Sequence, residues 1–176
     1  NVPPDNRGRK TINNLNRTVK MVELITKYFP ELTPEQVRQF TALGELYADW
    51  NSKINVVSRK DFDQLYLRHV LHSLAIAKVC RFEAGAEVLD VGCGGGFPSI
   101  PLAIACKNLK LTAMDSTKKK TDFVASAAKT VGLENYSALC ARAEEAGKNK
   151  VYRERYDIAT ARAVAALPAL AEYCLP

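Results

Sequence analysis

The chain has 176 residues, 47% of them apolar and 25% charged, enough apolar material for one packed core and too balanced for a disordered polymer. No apolar run approaches the roughly 20 residues that cross a bilayer, and the polar opening NVPPDNRGRK lacks the apolar stretch of a signal peptide. The expected setting is therefore cytoplasmic, with no membrane partner. The net charge of +6 points toward nucleic acid, yet much of it sits in residues 1–20, where Arg7, Arg9, Lys10, Arg17 and Lys20 face Asp5 alone. Cys80, Cys93, Cys106, Cys140 and Cys174 form no Cys-x-x-Cys pair, so reduced thiols and no metal are expected.

Taken in chain order, the first part reads as helices. Ile12, Leu15, Val19, Val22, Ile25 and Phe29 recur at helical spacing over 12–29. Thr33-Pro34-Glu35-Gln36 is a start signal: a capping threonine, proline at the first helical position, and glutamine closing a capping box. Val37, Phe40, Leu43, Leu46, Tyr47 and Trp50 then line one face, with Trp50 read as core. NSKINVVSRKD breaks the pattern, and a further helical region runs from Asp61 to about Val79, as one helix or two with a break near Leu67. His69 and His72 read as hydrogen-bonded helix residues.

From Ala84 the rhythm changes to strand then helix: strands at 87–91, 109–115, 136–141 and 156–163, helices at 98–106, 118–132 and from 167. The division is thus a helical region over 1–83 and an α/β core over 84–176. Alternating strands and helices predict a parallel sheet covered on both faces. Because such a fold continues beyond a fourth strand, that strand would be an unpaired buried edge, and a C-terminal portion of the parent protein is expected to be missing.

The stretch VLDVGCGGGFPSIPLAI joins the first strand to its helix through four glycines in five positions. Bare backbone there permits a sharp turn and close approach of a ligand, with a helix N-terminus behind it. Gly92 and Gly94 match the start of the dinucleotide fingerprint, but Phe97 stands where its last glycine belongs. Asp115 ends the next strand, where an acid accepts hydrogen bonds from a ribose diol. An adenosine without a pyrophosphate fits this set. S-adenosyl-L-methionine is such a ligand, its amino-acid end met by Asp90 and the loop amides. A tight turn in a purely structural unit is the alternative.

DWNSKINVVSRKD…LYLRHVLHSL, VLDVGCGGGFPSIPLAI, MDSTKKKTDF, ARAEE and YDIATARAVAAL follow one another from about Leu43 to the last residue. In that order and spacing the chain resembles the ribosomal RNA small subunit methyltransferase G family, also called glucose-inhibited division protein B. The resemblance implies a Rossmann-like class I S-adenosylmethionine-dependent methyltransferase fold with an N-terminal helical extension. It implies methylation of N7 of a guanine in the 530 loop of 16S rRNA, with the small ribosomal subunit as partner. Family cofactor contacts fall on Gly92, Phe97, Asp115, Ser116, Thr117, Ala143, Glu144 and Arg162. The family often has glycine at Ser99 and aspartate at His72, so no role passes to His72.

Guanine N7 carries an in-plane lone pair and no proton, so the implied reaction needs alignment and no general base, and no catalytic acid–base side chain is expected. RNA major grooves hide N7, so the target lies in a loop or is extruded. Arg59, Lys60, Arg68, Lys118, Lys119 and Lys120 are the candidate RNA contacts. A monomer is expected. Competing readings are a methyltransferase on another RNA or a small molecule, a non-catalytic RNA-binding assembly factor, and a nicotinamide dehydrogenase, the last disfavoured by Phe97.

Overall fold

The structure, a computed structural model, describes residues 18–54 and 56–175, and the side chains of Arg59 and Lys60 lie outside what it describes. The first third of the predicted 12–29 helix, residues 12–17, and most of the basic N-terminal cluster also lie outside the described residues. Helix α1 occupies 18–28. Helix α2 (Pro34–Lys53) begins as its sequence dictates. The Thr33 side chain accepts from the Gln36 amide at 3.3 Å, and the Thr33 amide donates to Gln36 Oε1 at 2.8 Å. At the end of α2, Asn51 Oδ1 accepts from the amides of Val56 and Val57, each at 3.0 Å, which draws those two residues back to the helix end.

The predicted 61–79 helix is resolved differently. A single turn, α3 (Arg59–Phe62), is capped by Ser58, and the break falls at Asp63–Gln64. A π-helical segment over Leu65–Leu71 then leads straight into α4 (His72–Val79). Leu67, the expected interruption, lies inside the π segment and is exposed.

Four strands follow: β1 (Glu87–Val91), β2 (Lys110–Asp115), β3 (Tyr136–Cys140) and β4 (Ile158–Ala161). They pair in the order β3-β2-β1-β4, all parallel, with Asp90 beside Ala113 and Thr160. Helices α5 (Ser99–Ala105), α6 (Lys118–Thr130), α7 (Ala143–Ala146) and α8 (Leu167–Cys174) connect or follow them. The order reverses at β1, which places a crevice at the strand ends between the two halves.

The two faces of the sheet differ. Val88, Leu111 and Ala113 point into a large core with α5 and α6. That core is continuous with the N-terminal helices, since Phe40, Leu43 and Tyr47 of α2 are fully buried in it. Tyr47 packs at 5.1 Å from the rings of both Phe97 and Phe123, and Trp50 at 5.3 Å from Phe123. On the other face, among the described residues, the buried apolar cluster is only Val91, Met114 and Ala146. Short α7 and α8 cover little of it, and Ser137 and Ala159 are exposed. Coverage of both faces therefore holds at the centre of the sheet and fails at β3 and β4; β4 is not the buried edge its sequence predicts. Among the described residues no helix is long and apolar enough to cross a membrane.

Candidate functional site

The glycine loop leaves β1 and bends at once. The Cys93 amide donates to Met114 O at 2.8 Å, and the Gly96 amide to Cys93 O at 2.7 Å. Gly92 has φ +69°, and a Cβ there would lie 2.7 Å from Val164 Cγ2, in the loop that follows β4. Gly95 is bare for another reason: a Cβ would lie 2.7 Å from the backbone oxygen of Val56. The Tyr47 hydroxyl donates to Gly95 O. The glycine run therefore admits two close approaches, the β4–α8 loop on one side and the N-terminal helical region on the other.

Beside this loop, at the C-terminal ends of the strands, lies a crevice of about 380 Å³. Gly92, Asp115, Ser116, Thr117, Ala143 and Glu144 line it. Asp115 is nearly buried, its Oδ2 accepting from the Gly94 amide at 3.0 Å and its Oδ1 from the Thr117 amide at 2.9 Å. Those bonds fix the carboxylate, whose two oxygens have capacity for further donors. Lys120 Nζ stands 3.5 Å from the same Oδ2.

The other predicted site residues are not in the crevice. Alternation along β1 turns the Asp90 side chain to the α5 side, where it is fully buried and its Oδ2 accepts from the Ser99 amide at 3.2 Å. It occupies the helix N-terminus that the sequence offered to a ligand. The Gly94 amide is already engaged by Asp115. Phe97 is 4% exposed, its ring a core element rather than a ligand platform. Arg162 lies over that ring, 5.3 Å from its centre, and reaches His69 and the Arg68 carbonyl. Asp90, Phe97 and Arg162 support the loop from behind, while Gly94 is part of the loop itself.

Burial pushes the Asp90 carboxyl up to about 6, against hydrogen bonds from Ser99 and the nearby Arg162 charge that pull it down. Burial also raises the Cys93 thiol, far from the reactive thiolate range. Crevice walls that the sequence reading missed are Arg142, Tyr173 and the Ala163–Ala165 stretch. Arg142 stands inside the ARAEE motif, next to the two residues singled out there. Tyr173, on α8, carries no local signal and arrives only through packing on the open sheet face. Among the RNA candidates, Lys118 pairs with Asp122, and Arg68 with Asp61 at 2.8 Å, all on the surface.

A nucleoside with a short charged tail suits this geometry: an acid held at the end of β2, backbone in close reach at Gly92, and a volume within the range of small-molecule sites. A ribosomal RNA small subunit methyltransferase G from Bacteroides fragilis is 52% identical over 81% of this chain, and one from Christiangramia forsetii 51% over 84%. The chain spans 61% of the length of the first and 67% of the second. Among solved structures, a protein-L-isoaspartate O-methyltransferase matches with a TM-score of 0.49 and 12% identity, over 82% of this chain and 47% of that one. The family model described as rRNA small subunit methyltransferase G matches residues 36–176, and the chain belongs to that family.

Proposed function

We propose that the protein transfers a methyl group from S-adenosyl-L-methionine to N7 of a guanine in small-subunit rRNA. Its partner would be the small ribosomal subunit and its setting the cytoplasm, where ribosomes work. The observation that carries the reading is the crevice at the strand ends, in which Asp115 and the Gly92 backbone meet in one cleft. Family membership supports it, since the relatives are named for small-subunit rRNA methylation.

Under this reading Asp115 accepts hydrogen bonds from the ribose hydroxyls. Ser116 and Thr117 line the adenine side of the cleft, and Ala143 and Glu144 border it from the end of β3. Gly92 contacts the amino-acid end through backbone alone, because a side chain there would strike Val164. The bound cofactor would supply an electrophilic methyl group on a sulfonium. The chain's own residues orient it and exclude water. N7 has no proton to lose, so alignment and a fixed electrostatic environment supply the rate, and no side chain needs to act as a base.

Lys118, Lys119 and Lys120 begin α6 directly after Thr117, at the rim of the crevice, and are assigned to RNA phosphates. The helices before residue 84 form an extension that braces the glycine loop from behind. The test is to incubate the protein with isotope-labelled S-adenosyl-L-methionine and small subunits lacking the 530-loop mark. Label in 7-methylguanosine from that loop is the expected result. Label in another nucleoside overturns the substrate, and no label with S-adenosylhomocysteine bound overturns the reaction.

A further inference from the structure

Arg162 and His69 come from opposite halves of the chain and meet behind the glycine loop. Arg162 Nη2 stands 2.8 Å from His69 Nδ1, and Arg162 Nη1 donates to the Arg68 carbonyl at 3.4 Å. A guanidinium has donors and no acceptor. His69 Nδ1 must therefore accept, which makes the ring neutral with its proton on Nε2. Both groups rest on Phe97, His69 at 5.1 Å and Arg162 at 5.3 Å from the ring centre.

Two features of the backbone give this contact a purpose. The His69 side is a π-helical segment, Leu65–Leu71, which turns the Arg68 carbonyl and the His69 ring toward one arginine. Such widened turns recur at functional sites. The Arg162 side opens the loop that walls the crevice. Ala163 follows at φ +56°, an uncommon conformation for a residue with a side chain, and Val164 then presses on Gly92. A strained loop persists where its surroundings hold it.

We propose that His69 is a positioning residue: by accepting from Arg162 it anchors the β4–α8 loop, so that Ala163–Ala165 stand as a wall of the cofactor crevice. The inference rests on the cofactor reading above for its consequence, but the anchor itself is read without ligand. The charged and titratable groups facing His69 are Arg162, Asp61 on α3, Arg68 on its own segment and His72 at the start of α4; Asp90 and Tyr47 face Arg162. Burial and then Arg162 hold the His69 ring below its ordinary titration range, in keeping with an accepting nitrogen. Protonation at low pH would set imidazolium against guanidinium and release the loop.

The test combines histidine nitrogen NMR, a nuclear Overhauser contact between the Val164 methyls and Gly92, and calorimetric titration with S-adenosylhomocysteine. The expected result is an Nε2–H tautomer at pH 7.5 and a Val164–Gly92 contact that His69→Phe and Arg162→Met each abolish. Each would weaken binding at least about tenfold, the size of a lost charge-assisted hydrogen bond. The double variant would bind no more weakly than the worse single one. His69→Asn, whose amide oxygen replaces Nδ1, would restore the contact and most of the affinity, and it keeps the question decidable if His69→Phe does not fold. An Nδ1–H tautomer, a contact that survives in Arg162→Met, or a failed asparagine rescue overturns the anchor. If the unaltered protein does not bind S-adenosylhomocysteine, the cofactor reading falls, while tautomer and contact still decide the anchor.

Discussion

Asp90 is a carboxyl held in the core with one oxygen, Oδ1, buried and without a hydrogen-bond partner among the described residues. Its value of about 6 against an ordinary 3.8 sets a sign. The fold binds a proton that the unfolded chain has already released, so this group costs stability as pH rises from about 4 to about 6. The gap corresponds to about 3 kcal/mol as an upper figure. Asp90→Asn is therefore expected to stabilise the protein at pH 7.5 by up to that amount and to change little at pH 4, read by urea unfolding at both. Gly95 gives a prediction of opposite sign. Its Cβ position lies 2.7 Å from a backbone oxygen that cannot swing away. Gly95→Ala should cost about 1–3 kcal/mol in the same assay and shift the Tyr47 ring signals.

Helix α2 does more than bury an apolar stripe. Gln36 Nε2 donates to Ile104 O at 2.8 Å, and Gln39 Nε2 to Val131 O at 2.8 Å. These carbonyls end α5 and follow α6, so one helix caps two others from its polar positions. Removing either partner leaves a buried carbonyl unsatisfied. Thr33→Ala, which breaks only the cap, should cost about 1 kcal/mol. Gln36→Ala, which keeps the Gln36 amide on the Thr33 hydroxyl but removes the reciprocal half of the capping box and the α5 contact, should cost about 2–3 kcal/mol by thermal or urea unfolding. Equal losses would mean that the α5 contact contributes nothing. The capping box was legible in TPEQ because its spacing is local. The two glutamine contacts span 68 and 92 residues and had no local signature.

Across the whole molecule, the helical half and the α/β half share one core and meet at the glycine loop, so a disturbance in α2 reaches the crevice. The tally of charge matters less than where the positive groups stand. Lys118 and Lys120 each have an acidic neighbour, at Asp122 and Asp115. If the α6 start meets RNA, Lys119→Ala with Lys120→Ala should weaken binding of a 530-loop RNA hairpin and flatten the salt dependence by about two phosphate contacts. Fluorescence anisotropy between 50 and 200 mM salt measures it, as round working values within the range over which such binding changes steeply. An unchanged slope would move the RNA face elsewhere, to the surface around Arg68.

The sequence by itself established the order of the four strands and of the longer helices, the glycine loop, and the acid at the end of β2, because alternation, caps and glycine runs are properties of neighbours in the chain; it did not show α7 or the π-helical segment. It also carried the family, through motifs whose order is linear. Tertiary structure alone decided which motif residues reach the crevice. Asp90 and Phe97 belong to the same motif as Gly92, yet strand alternation and the loop's turn send them into the core while Gly92 faces the cleft. It decided as well that Arg162 meets His69 across 93 residues, since a contact of that separation depends on how the sheet and the π-helical segment pack together.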